Sequence, residues 1–172
     1  MNQRAKESLT RGMREFNLPR YDEISDVGLY LEQTATYVTE CLAPLEQGPF
    51  TGSMISNYVK KGLIPSPVRR QYTREQIAQL IFIAVAKPVV SIDNLRLMLS
   101  IQRDTYKSAV AYDYMREELK NVLDYVFGFK ESLSVVGVDA TDEKFMLRNV
   151  IITAAHKIYL DKLCAALQQE EA

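Results

Sequence analysis

The sequence predicts an all-α protein with at most one short β-hairpin. Apolar residues recur at steps of three and four through most of the chain, the period of helices with one face in a core. Only seven glycines and six prolines interrupt the 172 residues, so regular elements are long and connections few. Hydrophobic residues make up 47% and charged residues 25%, an ordinary balance for a globular chain.

A first helix is expected over Arg4 to Phe16, where Leu9, Met13 and Phe16 share a side. NLPRYDEISD follows as a loop, since Pro19 cannot continue a helix. From Val27 to Leu45 the positions Leu31, Ala35, Val38 and Leu42 again step by three and four, a helix closed by EQGPFTG. Ser53 to Lys61 is the next helix, and it stops at Gly62, a residue suited to a left-handed C-terminal position. LIPSPVRRQY is too rich in proline for a helix. Thr73 and Gln76 then have the spacing of a capping box and open the apolar run IAQLIFIAVA, which ends at Pro88.

Ser91 can cap a further helix containing Leu95, Leu97, Met98 and Ile101. Tyr112, Met115, Leu119, Val122, Val126 and Phe129 form a heptad seam, with Gly128 near its end. A final helix is expected from Thr141 or Asp142 to about Gln168. Its residues Ile152, Ala155, Tyr159, Leu163 and Ala166 make one apolar face, and Leu147, Ile151, Ala154 and Ile158 a second. So wide an apolar arc predicts burial on more than one side. The chain divides on this reading into residues 1–25, 26–103 and 104–172.

Charge is distributed unevenly. The formal net charge is -1, yet SMISNYVKKGLIPSPVRRQYTREQ holds Lys60, Lys61, Arg69, Arg70 and Arg74 before its first acid, Glu75. On the Ser53–Lys61 helix, Ser53, Ser56, Asn57 and Lys60 fall at i, i+3, i+4 and i+7. That face offers hydrogen-bond donors and a cation but no carboxylate, which suits base edges and phosphates. A solvated face would ordinarily mix both signs. Lys60 and Lys61 also favour a helix C-terminus through its dipole, by ~0.3–1 kcal/mol each. Pro65 and Pro67 are expected to hold the next segment extended, with Arg69 and Arg70 pointing to opposite sides. Tyr58 and Tyr72 read as packing residues whose hydroxyls reach towards phosphate.

SMISNYVKKGLIPSPVRRQYTREQIAQLIFI resembles the DNA-binding core of the MerR family of winged helix-turn-helix regulators. Tyr58, Gly62, Leu63, Pro65, Arg70, Tyr72, Thr73, Ile77, Leu80 and Ile83 occupy places that match that family's pattern. VVSIDNLRLML is similar to its next helix, and the wider chain, including LPRYDEISDVGLYLEQ, resembles an uncharacterised family of bacterial proteins regarded as MerR-like. The resemblance implies a recognition helix at 53–61, a short basic wing at 65–72, and a DNA-binding domain over residues 26–103. It also implies double-stranded DNA as partner and a homodimer joined by the helical region at 104–172. Ser56 and Asn57 stand where the family often has Arg-Tyr, and the wing is short, without the family's usual Asn-Gly turn.

The DNA-contacting set expected from the residues and the resemblance together is Ser53, Ser56, Asn57, Tyr58, Lys60, Lys61, Arg69, Arg70, Tyr72 and Arg74. The heptad seam has two readings, a dimer contact or an intramolecular bundle. Tyrosines between Tyr106 and Tyr125 are compatible with a pocket for a small-molecule effector or with a mixed core. Two other functions fit the same fold: a protein-interaction module without DNA binding, and a small-molecule sensor.

Catalysis is not expected. His156 is the only histidine and reads as a core imidazole in ITAAHKIYL. Cys41 and Cys164 stand far apart and read as two buried thiols, without the spacing of a zinc site. No glycine-rich phosphate loop is present, and no cofactor is implied. No apolar run approaches the roughly 20 residues of a membrane span, and MNQRAKESLTRGMREF lacks the apolar core of a signal peptide, so a cytoplasmic location is expected.

Overall fold

The computed structural model describes residues 3–137 and 140–171. Seven α-helices dominate the described residues: α1 (Gln3–Thr10), α2 (Leu31–Leu42), α3 (Gly52–Lys60), α4 (Arg74–Ala86), α5 (Ile92–Thr105), α6 (Ser108–Val126) and α7 (Asp142–Glu171). Two-residue strands β1 (Leu29–Tyr30) and β2 (Gln71–Tyr72) pair antiparallel, Leu29 opposite Tyr72 and Tyr30 opposite Gln71. The architecture is all-α with one small sheet. No described helix is long and apolar enough to cross a membrane.

The centre is α4. Ile77, Leu80, Ile81, Ile83 and Ala86 are completely or almost completely buried, and polar Gln76 and Gln79 are buried with them. A helix apolar on all sides has no solvent face and must be enclosed. α2 packs on it from one direction, and α6 and α7 from others. α1 lies along α7, and residues of all three expected segments join one hydrophobic cluster.

Several elements differ from the sequence expectation for local reasons. α1 ends at Thr10 rather than Phe16, because Gly12 takes a left-handed φ of 70° and turns the chain; Met13 and Phe16 are still buried. α2 begins at Leu31 rather than Val27, since Leu29 and Tyr30 are drawn into the sheet. The heptad seam is intramolecular. Tyr112, Met115, Leu119 and Val122 are buried, and α6 packs along α7, so no second copy is needed to cover it.

α7 corrects two further expectations. Val150, Ile151, Ala154, Ala155, Ile158 and Ala166 face the core, which turns His156 outwards to solvent. Cys164 is exposed as well. Both expected apolar faces pack: Ile151, Ala154 and Ile158 of one and Ala155 and Ala166 of the other are buried, with Leu147, Ile152, Tyr159 and Leu163 packed against the core. Phe145, Leu160 and Leu167, outside both faces, are exposed. Cys41, by contrast, is half-buried, and burial pushes its thiol up to about 11, so it is protonated and unreactive at neutral pH.

Two buried charges fasten α7 to its neighbours. Glu118 is fully buried and pairs with Arg148 of α7 at 3.1 Å; burial raises its carboxyl above the ordinary range although Arg148 opposes this. Lys162, 3% exposed, donates to the Pro44 carbonyl at 3.2 Å and pairs with Glu46 at 2.8 Å. It thereby ties α7 to the turn between α2 and α3. Replacing Lys162 by Ala leaves that turn without its cation and the buried stem without its contacts. The expected loss is about 1–3 kcal/mol, a fall in melting temperature of roughly 3–10 °C for a chain of this size. Thermal unfolding followed by circular dichroism measures it.

Candidate functional site

α3 is built to present one face outwards. Thr51 caps it by accepting from the Met54 amide at 3.3 Å, and its hydroxyl lies 2.9 Å from that of Ser53. Ile55 and Tyr58 point into the core, while Ser53, Ser56, Asn57, Lys60 and Lys61 are exposed. The helix stops in a Schellman arrangement: Gly62 has φ 71°, the Leu63 amide donates to Tyr58 O at 3.0 Å and the Gly62 amide to Val59 O at 2.9 Å. Leu63 and Ile64 then bury and anchor the exit. At the other end a Cβ on Gly52 would meet the Glu32 carboxylate, the far end of an exposed side chain, so a substitution there displaces that carboxylate.

The segment after α3 is a tight hairpin, which corrects the expectation of extended arginines. Val68 and Gln71 exchange both backbone hydrogen bonds, at 3.1 and 2.9 Å. The two residues between them, Arg69 and Arg70, have φ of 50° and 65°. Two positive φ values inside a two-residue loop define a type I′ turn, whose twist matches a β-hairpin and which favours Asn-Gly. Arginine in this conformation costs on the order of 1–2 kcal/mol at each position. Both arginines are exposed. The chain thus holds two cations, at a conformational cost, at the tip of a loop.

The hairpin is held from beneath. Gln76 completes the predicted capping box with Thr73 and donates its amide to Pro65 O at 2.9 Å, so one buried side chain joins the start of the hairpin to α4. Gly28 lies against the hairpin strand, where an added Cβ would stand 2.8 Å from that of Gln71. Arg96 of α5 donates to Lys61 O at 3.0 Å and fixes the C-terminal end of α3. Lys87, at the end of α4, lies 5.2 Å over the Phe50 ring; burial lowers its ammonium below the ordinary range.

The expected site residues fall into two groups. Ser53, Ser56, Asn57, Lys60, Lys61, Arg69 and Arg70 reach solvent, and among the described residues none of the four cations pairs with a carboxylate. Tyr58, Tyr72 and Arg74 do not belong with them. Tyr58 stacks on Phe50 with ring centroids 5.9 Å apart, and Tyr72 is buried opposite Leu29. Arg74 turns inwards, its Nε donating to Ile24 O at 2.7 Å with the guanidinium 5.8 Å over Tyr21. Gln76 and Arg96 are positioning residues that sequence reasoning missed. Gln76 carried a signal as the capping-box partner; Arg96 was masked by Asp93 three residues earlier, with which it also pairs at 3.2 Å.

Residues 19–122 match the family described as a domain of unknown function, DUF1836. The chain belongs to this family. The DUF1836 match covers α2 to most of α6, and so includes α3, the hairpin and their supports. No curated protein and no solved structure matches the chain.

The turn generates a stability prediction. Changing Arg69→Asn together with Arg70→Gly supplies the residues that a type I′ turn prefers, and relieves about 1–3 kcal/mol in total. The double variant is expected to melt several degrees higher than the parent in calorimetry, with unchanged helicity. An equal or lower melting temperature contradicts the left-handed assignment.

Proposed function

We propose that this DUF1836 protein is a DNA-binding transcriptional regulator of the MerR-like winged helix-turn-helix type. In this reading α3 is the recognition helix and enters a major groove through Ser53, Ser56, Asn57 and Lys60. The 65–72 hairpin is the wing, with Arg69 and Arg70 gripping phosphates or an adjacent minor groove. The observation that carries the proposal is the pair of exposed, unneutralised arginines held in left-handed backbone at the hairpin tip. Strain of this kind persists where function requires it, and an ordinary solubilising turn has no use for it.

A symmetric site needs two copies. Because the α6 seam is occupied within the chain, the outward side of α7 is the surface proposed for pairing. Phe145, Leu160 and Leu167 are exposed there and Ile152 half-buried. Their spacing is mirrored about His156, so an antiparallel two-fold pairing sets Phe145 against Leu167 and Ile152 against Leu160. Leu160→Glu puts a charge into that contact from a position already exposed. It is expected to convert a dimer to a monomer in sedimentation velocity without lowering the melting temperature of the folded monomer. A monomer already in the unaltered protein overturns the pairing.

Each copy presents Lys60, Lys61, Arg69 and Arg70, and neutralising about four phosphates predicts a log–log salt slope near -4 per bound copy. Reversing both hairpin arginines to glutamate is expected to weaken binding to a labelled duplex at least a hundredfold in fluorescence anisotropy, with helicity intact. Duplex affinity that survives this reversal, or is independent of salt, contradicts the proposal. Recovery of one protein and no DNA from purified complexes favours the interaction-module reading instead.

A further inference from the structure

Between α4, α5, α6 and α7 lies a cavity of about 90 Å³. Among the described residues its wall is mostly hydrocarbon, including Ala78, Phe82, Met98, Leu99, Met115 and Leu147. Gln79 is a buried polar group of that wall. It is 6% exposed, and its side-chain oxygen has no hydrogen-bond partner among the described residues. A buried amide oxygen without a partner destabilises the fold, a cost that leucine at this position would not carry. The wall carries two carboxylates, Glu75 and Glu143, and one ammonium, Lys144, a balance of one negative charge that disfavours an anion.

We propose that this cavity is a binding site for a small neutral molecule, apolar over most of its surface and carrying one hydroxyl or amide. At the ~30 Å³ that a water molecule occupies in the liquid, this volume encloses about three heavy atoms, and its open mouth leaves the rest of a small ring at the surface. The occupant's donor satisfies Gln79 and its hydrocarbon covers the methionine and leucine wall. Tyr112 also lines the cavity, and its buried hydroxyl is likewise without a hydrogen-bond partner among the described residues.

The position gives such a molecule a use, and this step rests on the DNA-binding reading. Ala78 and Gln79 follow Gln76, which holds the hairpin at Pro65. Met98 and Leu99 follow Arg96, which holds the end of α3 at Lys61. Filling the space between α4 and α5 changes the spacing of the two supports, and with it the setting of α3 against the hairpin tip.

Phenol is the test ligand, with benzene and benzoate as comparisons, on the full chain without DNA. Thermal shift and ligand-observed NMR are expected to show saturable binding of phenol, weaker binding of benzene and none of benzoate. Gln79→Leu is expected to lower phenol affinity about five- to tenfold, equivalent to one hydrogen bond, and to leave benzene unchanged. Ala111→Phe fills the cavity from a half-buried position and is expected to abolish both. No binding of phenol, equal binding of benzoate, or full phenol affinity in Ala111→Phe overturns the site. Saturating phenol is then expected to change duplex affinity at least threefold. If duplex affinity does not move while phenol binds, the site stands and the coupling falls; a protein that binds phenol but no DNA separates failure of the regulator reading from failure of the site.

Discussion

The molecule depends on the enclosure of α4. Its thirteen residues, Arg74–Ala86, include aliphatic side chains on every side, and each large one taken out of water contributes about 1.5–3 kcal/mol. No single partner helix can cover such a surface, so α2, α6 and α7 must close round it. That requirement determines where everything else sits. The hairpin is bonded to the first turn of α4 through Gln76, the loop before α2 is bonded to it through Arg74, and α3 leaves the core through Leu63 and Ile64 just before it.

Against this rigid centre the polar face of α3 and the hairpin tip are exceptions to the usual economy of a fold. Surface cations are ordinarily interspersed with acids, and two-residue hairpins ordinarily turn on Asn-Gly. Here Arg69 and Arg70 follow neither habit. A combined conformational cost of about 2–4 kcal/mol is a noticeable fraction of the 5–15 kcal/mol that holds a typical domain together. The rest of the fold offsets this cost, and under our proposal the pair is kept because it meets the phosphates of a duplex outside the molecule.

Much of this was legible in the sequence where periodicity or a cap carried it. The Thr73–Gln76 box, the Ser91 cap and the stop at Gly62 are local signals, and the structure realises each of them. What was not legible depends on partners distant in sequence. Arg74 looks like part of a basic run until Ile24, fifty residues earlier, offers it a carbonyl. The heptad of α6 is the same pattern whether its seam meets another copy or α7. His156 sits in an apolar run, yet a helix can bury only the side its neighbours reach. The left-handed arginines were hidden because the turn's backbone is imposed by the pairing of Val68 with Gln71, against the preference of the residues in it.

Selection from a pool of random duplexes by the purified full chain, at low salt and at about 150 mM, tests the central claim most directly. The account predicts enrichment of a recurrent motif, arranged as an inverted repeat with half-sites about one helical turn apart. A pool that emerges from repeated rounds with no sequence enriched and no duplex retained contradicts it.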